Sequence, residues 1–152
     1  MKIRITKRGR RNEMRCFRSD GSSDFADLGP GLPHHDLAHL AVEREWHLRQ
    51  GFFGNIAGGH AFAQLSDKDV IKTLGPESAQ AEVLARALQS LSTGACTAEQ
   101  FGDLVNTELN HWHMPTLRIT PAMVQAASAQ FKALLDRFEA LGDGESLHLE
   151  FD

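Results

Sequence analysis

The stretch Ser146-Leu147-His148-Leu149-Glu150-Phe151 constrains this chain more than any other. Leu147, Leu149 and Phe151 fall on one face, and Ser146, His148 and Glu150 on the other. That is the period of a half-buried strand. A lone strand is not stable in water and must join others that share an apolar face. The partners on offer lie at the opposite end of the chain. Lys2–Lys7 alternates, with Ile3 and Ile5 on one side. Glu13–Arg18 sets Met14 and Cys16 on one side and Phe17 on the other, and Arg8-Gly9-Arg10-Arg11-Asn12 between them reads as a hairpin turn. The expected sheet holds strands at 2–7, 13–18 and 146–151, with a short third strand at 25–28 after the turn-forming Ser19–Asp24. Both ends of the chain then meet in one antiparallel sheet.

Everything between carries helical periodicity. Helices are expected at 33–50, 52–57, 67–74, 78–92, 98–112 and 121–141. Pro33 suits a first turn, and Gly51 reads as the stop for the first helix. Thr97-Ala98-Glu99-Gln100 is a capping box, and Thr120-Pro121 opens the longest helix, with Val124, Ala127, Phe131, Leu134 and Phe138 in register. No repeat and no long linker interrupts the pattern. The expectation is a single α+β domain over 1–152: a small antiparallel sheet of N-terminal hairpin and C-terminal strand, covered by several helices.

Composition narrows the class. A hydrophobic fraction of 41% and a charged fraction of 24% are those of a globular chain. No apolar run approaches the ~20 residues of a membrane span. The alternating N-terminus lacks the apolar core of a secretory signal, and Cys16 and Cys96 form neither a disulfide framework nor a ligand spacing. A cytoplasmic protein with reduced thiols is expected. The net charge of −4 is unevenly spread. Residues 1–18 carry eight basic residues against Glu13 alone, a local +7, while the rest of the chain is acidic. Such a basic end can attract an anionic partner or fold back on the protein's own negative groups.

Chemistry concentrates in Pro33-His34-His35-Asp36-Leu37-Ala38-His39-Leu40-Ala41-Val42-Glu43. On a helix, His39 and Glu43 lie about 40° and 80° around from His35, and the core stripe of Leu37, Leu40 and Ala41 lies elsewhere. Residues i and i+4 can share a metal ion, as the histidines of HExxH do. His35 with His39 qualifies, and so does His39 with Glu43. His35 and Glu43 stand ~12 Å apart along the axis, too far to share an ion. A site therefore needs a third ligand from elsewhere, for which His60, His111 and His113 are the candidates. A divalent ion, zinc first, suits this mixture of imidazole and carboxylate. Asp36 or Glu43 is then the candidate general base for hydrolysis. The competing reading is structural: Asp36 favours the helix N-terminus, and Glu43 pairs with His39.

The segment from Pro33 to about Gly59, with its Pro-x-His-Asp-Leu-x-His-x-x-Val-Glu pattern followed by Leu-Arg-x-Gly-Phe-Phe-Gly, resembles a group of small bacterial proteins without an assigned activity. The likeness spans roughly a fifth of the chain. It implies a bacterial, cytoplasmic origin and no mechanism. His35-Asp36 also resembles the adjacent pair of HD-class phosphohydrolases. Those need a further histidine on an earlier helix, and none precedes His34 here.

The basic hairpin is the second functional candidate. Arg8, Arg10, Arg11, Arg15 and Arg18 could contact phosphates of a nucleic acid as a non-enzymatic binding module, although Phe17 is the one aromatic nearby. The glycines of Gly51–Gly59 lack the spacing of a phosphate loop and are read as caps and close packing.

Overall fold

The computed structural model describes residues 1–30 and 33–152. Strands β1 (Lys2–Thr6), β2 (Asn12–Phe17) and β3 (Ser23–Gly29) open the chain, and β4 (Ser146–Glu150) closes it. They form one antiparallel sheet in the order β3-β2-β1-β4. The fold is α+β, and the two termini meet: the Met1 amine donates to the Phe151 carbonyl at 2.6 Å, and the Phe151 N–H returns to Met1 at 2.8 Å. Ile3, Ile5, Met14, Cys16, Leu147, Leu149 and Phe151 are buried on the inner face. The register pairs Ile3 with both Cys16 and Leu149, so the apolar positions of three strands align. A one-residue slip would turn all of them outward.

Among the described residues, seven helices lie between: α1 (His34–Glu45), α2 (Phe52–Ala57), α3 (Phe62–Leu65), α4 (Lys68–Ile71), α5 (Pro76–Ser92), α6 (Ala98–His111) and α7 (Pro121–Glu139). α1 packs against α2, α5 and α7. This central position explains its composition. Every residue from Leu37 to Glu43 is buried, which fits a helix enclosed on several sides rather than one with a solvated face.

Several elements differ from the sequence expectation; β3 runs over Ser23–Gly29 rather than 25–28, and the larger differences are among the helices. The first helix ends at Glu45, not at residue 50. His47 adopts φ 54, and the Leu48 N–H reaches back to the Glu43 carbonyl at 2.9 Å. This is the left-handed helix stop that glycine usually supplies. Gly51 instead starts α2. The expected helix at 67–74 is only the turn Lys68–Ile71, and α3 before it was not expected. α3 forms because the Gln64 side chain takes the Ala61 N–H at 2.8 Å. α5 begins two residues early, with Pro76 in its first turn, where the missing N–H costs nothing.

Two members of the N-terminal basic run, Lys7 and Arg18, are spent on the fold. Lys7 Nζ donates to the carbonyls of Glu139 and Leu141 at the end of α7. Arg18 binds the Ile56 carbonyl at the end of α2 (2.5 Å) and the His60 carbonyl (2.7 Å). Cations at helix C-termini neutralise unpaired carbonyls and the negative end of the dipole. On the free edge of β4, the carbonyls of His148, Glu150 and Asp152 accept from Arg137, Arg44 and Arg49. Three guanidiniums thus occupy alternate acceptors that could otherwise pair with a foreign strand. Among the described residues, no helix is long and apolar enough to cross a membrane.

Because His47 bears a side chain in a left-handed conformation, His47→Gly is expected to stabilise the protein by about 0.5–1 kcal/mol. Urea denaturation measures this as a higher midpoint at unchanged slope.

Candidate metal centre

Glu43 is the anchor of the site. It is 1% exposed, and both of its oxygens are used. Oε1 accepts from the Phe53 N–H at 3.3 Å and Oε2 from the Gly54 N–H at 3.1 Å, which caps the start of α2. Gly51, the residue before that helix, carries no capping side chain of its own. A Cβ at Gly51 would overlap the Glu43 carboxylate, so glycine is needed there for close approach. Oε1 also lies 3.2 Å from Nδ1 of His39. A carboxylate accepts, so the Nδ1 proton of His39 is held there, and Nε2 of the neutral ring presents its lone pair on the other side.

His35 is set in the same sense. Its Nδ1 lies 3.1 Å from Oε1 of Gln89 on α5, which leaves Nε2 facing inward. The third donor is Glu82, also from α5. The distances His35 Nε2–His39 Nε2, His39 Nε2–Glu82 Oε2 and His35 Nε2–Glu82 Oε2 are each 3.2 Å. Ligand atoms bound to one tetrahedral ion at ~2.1 Å stand about 3.4 Å apart. His35, His39 and Glu82 therefore form a group that could hold a metal ion. The other Glu82 oxygen faces Arg86 Nε at 3.4 Å.

Three electron-rich atoms this close repel unless positive charge sits among them. Without a metal, protons must supply it. The hydrogen bonds from His35 and His39 hold the Glu82 carboxyl far below the usual range. Burial disfavours a charged His39, yet Glu43 and Glu82 outweigh it and raise its pKa to about 9. The contact with Glu82 likewise raises His35, against burial and the neighbouring His39.

The three atoms border a cavity of about 580 Å³. Phe52, Leu65, Leu74 and Met114 give it apolar walls, and Asn55, Lys72 and Ser78 contribute polar groups. His35 is exposed at its lip, whereas His39 is 4% exposed.

The residues nominated from sequence separate. His35 and His39 share the cluster. Glu43 sits on the opposite side of the His39 ring and acts on that ring rather than beside Glu82. His60, His111 and His113 stand outside the cluster among the described residues. His113, at φ 56, terminates α6 much as His47 terminates α1, with the Met114 N–H returning to Leu109. Asp36 is half-buried, and its pKa is raised chiefly by burial. Neither Asp36 nor Glu43 is among the described residues that line the cavity. Cys16 is buried, which pushes its thiol up to about 12 and makes it a poor nucleophile. Of the hairpin arginines, Arg8 and Arg10 are exposed, Arg11 pairs with Asp27 at 2.8 Å, and Arg15 faces Glu13 at 3.8 Å. Arg18 is committed to helix carbonyls.

Sequence reasoning missed Glu82. Glu82, Arg86 and Gln89 recur at spacings of four and three, so they form one polar line along α5. In sequence that line looks like any solvated helix face.

Compared with protein-family models, curated proteins and solved structures, the chain matches none.

Replacing Glu43 by Gln puts an amide group against N–H donors and breaks a buried pair. It is expected to cost about 2–4 kcal/mol in urea denaturation. Glu82→Gln, at a half-exposed carboxylate, should cost less than about 1 kcal/mol in chelator. The chelated protein should also show a stability maximum in pH. The folded pKa of His39, about 9, lies above its unfolded value near 6.5. Its contribution is therefore complete below 6.5 and lost as pH rises through 9. Glu82 is shifted the opposite way from 4.5, so its contribution is present above that pH and falls away in acid. Melting temperatures across pH 2–10 in EDTA test both limbs.

Proposed function

We propose that His35, His39 and Glu82 bind a divalent metal ion, zinc first, and that the cavity beside it is the active site of a water-dependent hydrolase. The observation that carries this reading is the orientation of the two imidazoles. Each has its Nδ1 secured by a separate acceptor, Glu43 or Gln89, and each turns Nε2 to the same point beside Glu82. A histidine ligand whose other nitrogen donates to a carboxylate or amide is the usual support for a metal site. Two imidazoles and one carboxylate also leave coordination positions open, as catalytic zinc requires.

An ion held there would supply Lewis-acid polarisation of a water or carbonyl oxygen. The protein's own groups do the rest. Glu43 fixes the tautomer and tilt of His39. Arg86 holds Glu82 in place from the far side. The walls of Phe52, Leu65 and Met114 receive an apolar substrate and thin the water around the reacting bond. Ser66 and Ser78 are the hydroxyl side chains of the lining that could orient a carbonyl, whereas the Asn55 amide donates to the Gln50 and Gly51 carbonyls. Asp36 and Glu43 do not line the cavity, and the Glu82 oxygen turned away from the cluster is paired with Arg86.

A structural role for the same groups is the second reading, favoured by the Glu43 cap on α2. It differs in one measurable respect, because it needs no ion. Elemental analysis of untagged protein is expected to find close to one divalent metal per chain. Zinc, manganese or nickel added to the chelated form should raise the melting temperature by about 5–10 °C at saturating excess. His39→Ala and Glu82→Ala should abolish both effects. Less than ~0.1 metal per chain with no thermal shift would leave the structural role alone standing.

A further inference from the structure

The outer face of the sheet carries an arrangement that the fold alone does not require. Helices cover one face, whereas Phe17 and Phe25 on the other are 37% and 56% exposed. Between them the register places Arg4 of β1 directly opposite Arg15 of β2, and Arg15 opposite Phe25 of β3. Like charges facing each other across a strand pair are destabilising. The acids nearby relieve this pair only in part. Glu13 approaches Arg15 Nε only to 3.8 Å, and Asp27 is taken by Arg11. Among the described residues, Arg4 has no carboxylate partner. The Nε atoms of both arginines are shielded from water without a hydrogen-bond acceptor, a costly state for a cationic donor.

The arginines lie on aromatic rings. Arg4 sits over Phe17 at 5.4 Å from the ring centre and Arg15 over Phe25 at 5.2 Å. Beside them a groove of about 570 Å³ runs over β4 to α1 and α7. Its charged lining is Lys2, Arg4, Arg44 and Arg137 against Glu150 alone. Arg44 and Arg137 each spend a donor on a β4 carbonyl, and a guanidinium has five. This positive surface belongs to a protein of net charge −4, so it is a local feature and not an overall excess.

We infer that this face binds single-stranded nucleic acid. Phosphates would neutralise the Arg4–Arg15 pair and follow the groove past Lys2 and Arg137. Two successive bases would stack on the exposed rings of Phe17 and Phe25. Open sheet faces with paired aromatics and flanking cations read single strands by this combination. A folded duplex cannot offer its base faces to the rings. A protein partner with acidic side chains would meet the charge and leave the rings without planar counterparts. The site is separate from the metal cluster and stands or falls without it.

Fluorescence anisotropy with a labelled twelve-nucleotide oligo-U or oligo-dT tests the inference on the full chain. Binding is expected in the micromolar range at ~50 mM salt. Three or four phosphate contacts should weaken it about 15- to 60-fold on moving to ~200 mM. Phe17→Ser with Phe25→Ser should weaken it about tenfold or more. Arg4→Gln should weaken it and flatten the salt dependence by about one phosphate contact. Both rings are exposed, and circular dichroism verifies that the double variant folds. Should it not, Arg4→Gln and Arg15→Gln carry the test. Absence of binding at ~50 mM salt overturns the inference. Unchanged binding by the phenylalanine variants, equal affinity for duplex, or equal competition by inorganic phosphate would also overturn it. So would concentration-dependent dimerisation lost in the same variants, which would make the face a contact between copies of the chain.

Discussion

A carboxylate with almost no exposure to water, that of Glu43, joins three parts of this molecule. It accepts from the first turn of α2, holds the Nδ1 side of His39, and rests against the backbone at Gly51. A buried charge is tolerated only when each of its lone pairs is answered. Here the answers come from another helix start and from an imidazole, so the position of α2 and the tilt of His39 are set together. Phe52 leads α2 and walls the cavity, with its ring 5.3 Å from that of His39. The same carboxylate therefore shapes both the cluster and the space beside it.

The cluster depends in turn on α1 and α5 lying side by side. α1 supplies two imidazoles one turn apart, and α5 answers with Glu82 toward both of them and Gln89 toward His35. The sheet holds this pair of helices indirectly. Its inner apolar face joins the core shared with α1, α5 and α7, and both chain termini close it. Lys7, Arg18 and the three arginines on the β4 edge convert the basic N-terminus and scattered surface cations into ties between sheet and helices. The Arg4–Arg15 row is not among these ties, and it lies on the one face that the helices leave open.

Much of the fold was legible because its signals are local. Alternation in 2–7, 13–18 and 146–151 requires one antiparallel sheet, and the helical repeats of 98–112 and 121–141 match α6 and α7 to within two residues at either end. The errors share a cause. Gly51 looked like a helix stop because glycine so often is one, but a histidine stopped α1 and Gly51 was kept for Glu43. α3 depended on one glutamine reaching back three residues, a contact too weak to stand out from the surrounding pattern.

By itself the sequence determined that both ends build one sheet and that the first helix carries two of the three side chains of a group that could hold a metal ion. Helical spacing alone placed His35 and His39 within reach of one ion and kept His35 and Glu43 apart. Tertiary structure decided the rest. It chose Glu82 over the histidines as the third donor, turned Glu43 from a candidate ligand into the support of His39, and left Phe17 and Phe25 uncovered beside Arg4 and Arg15. The division follows from the range of the forces involved. Periodicity and capping act over a few residues and are written in the order of the chain. A site assembled from side chains 43 positions apart exists only once packing has chosen which helix faces which.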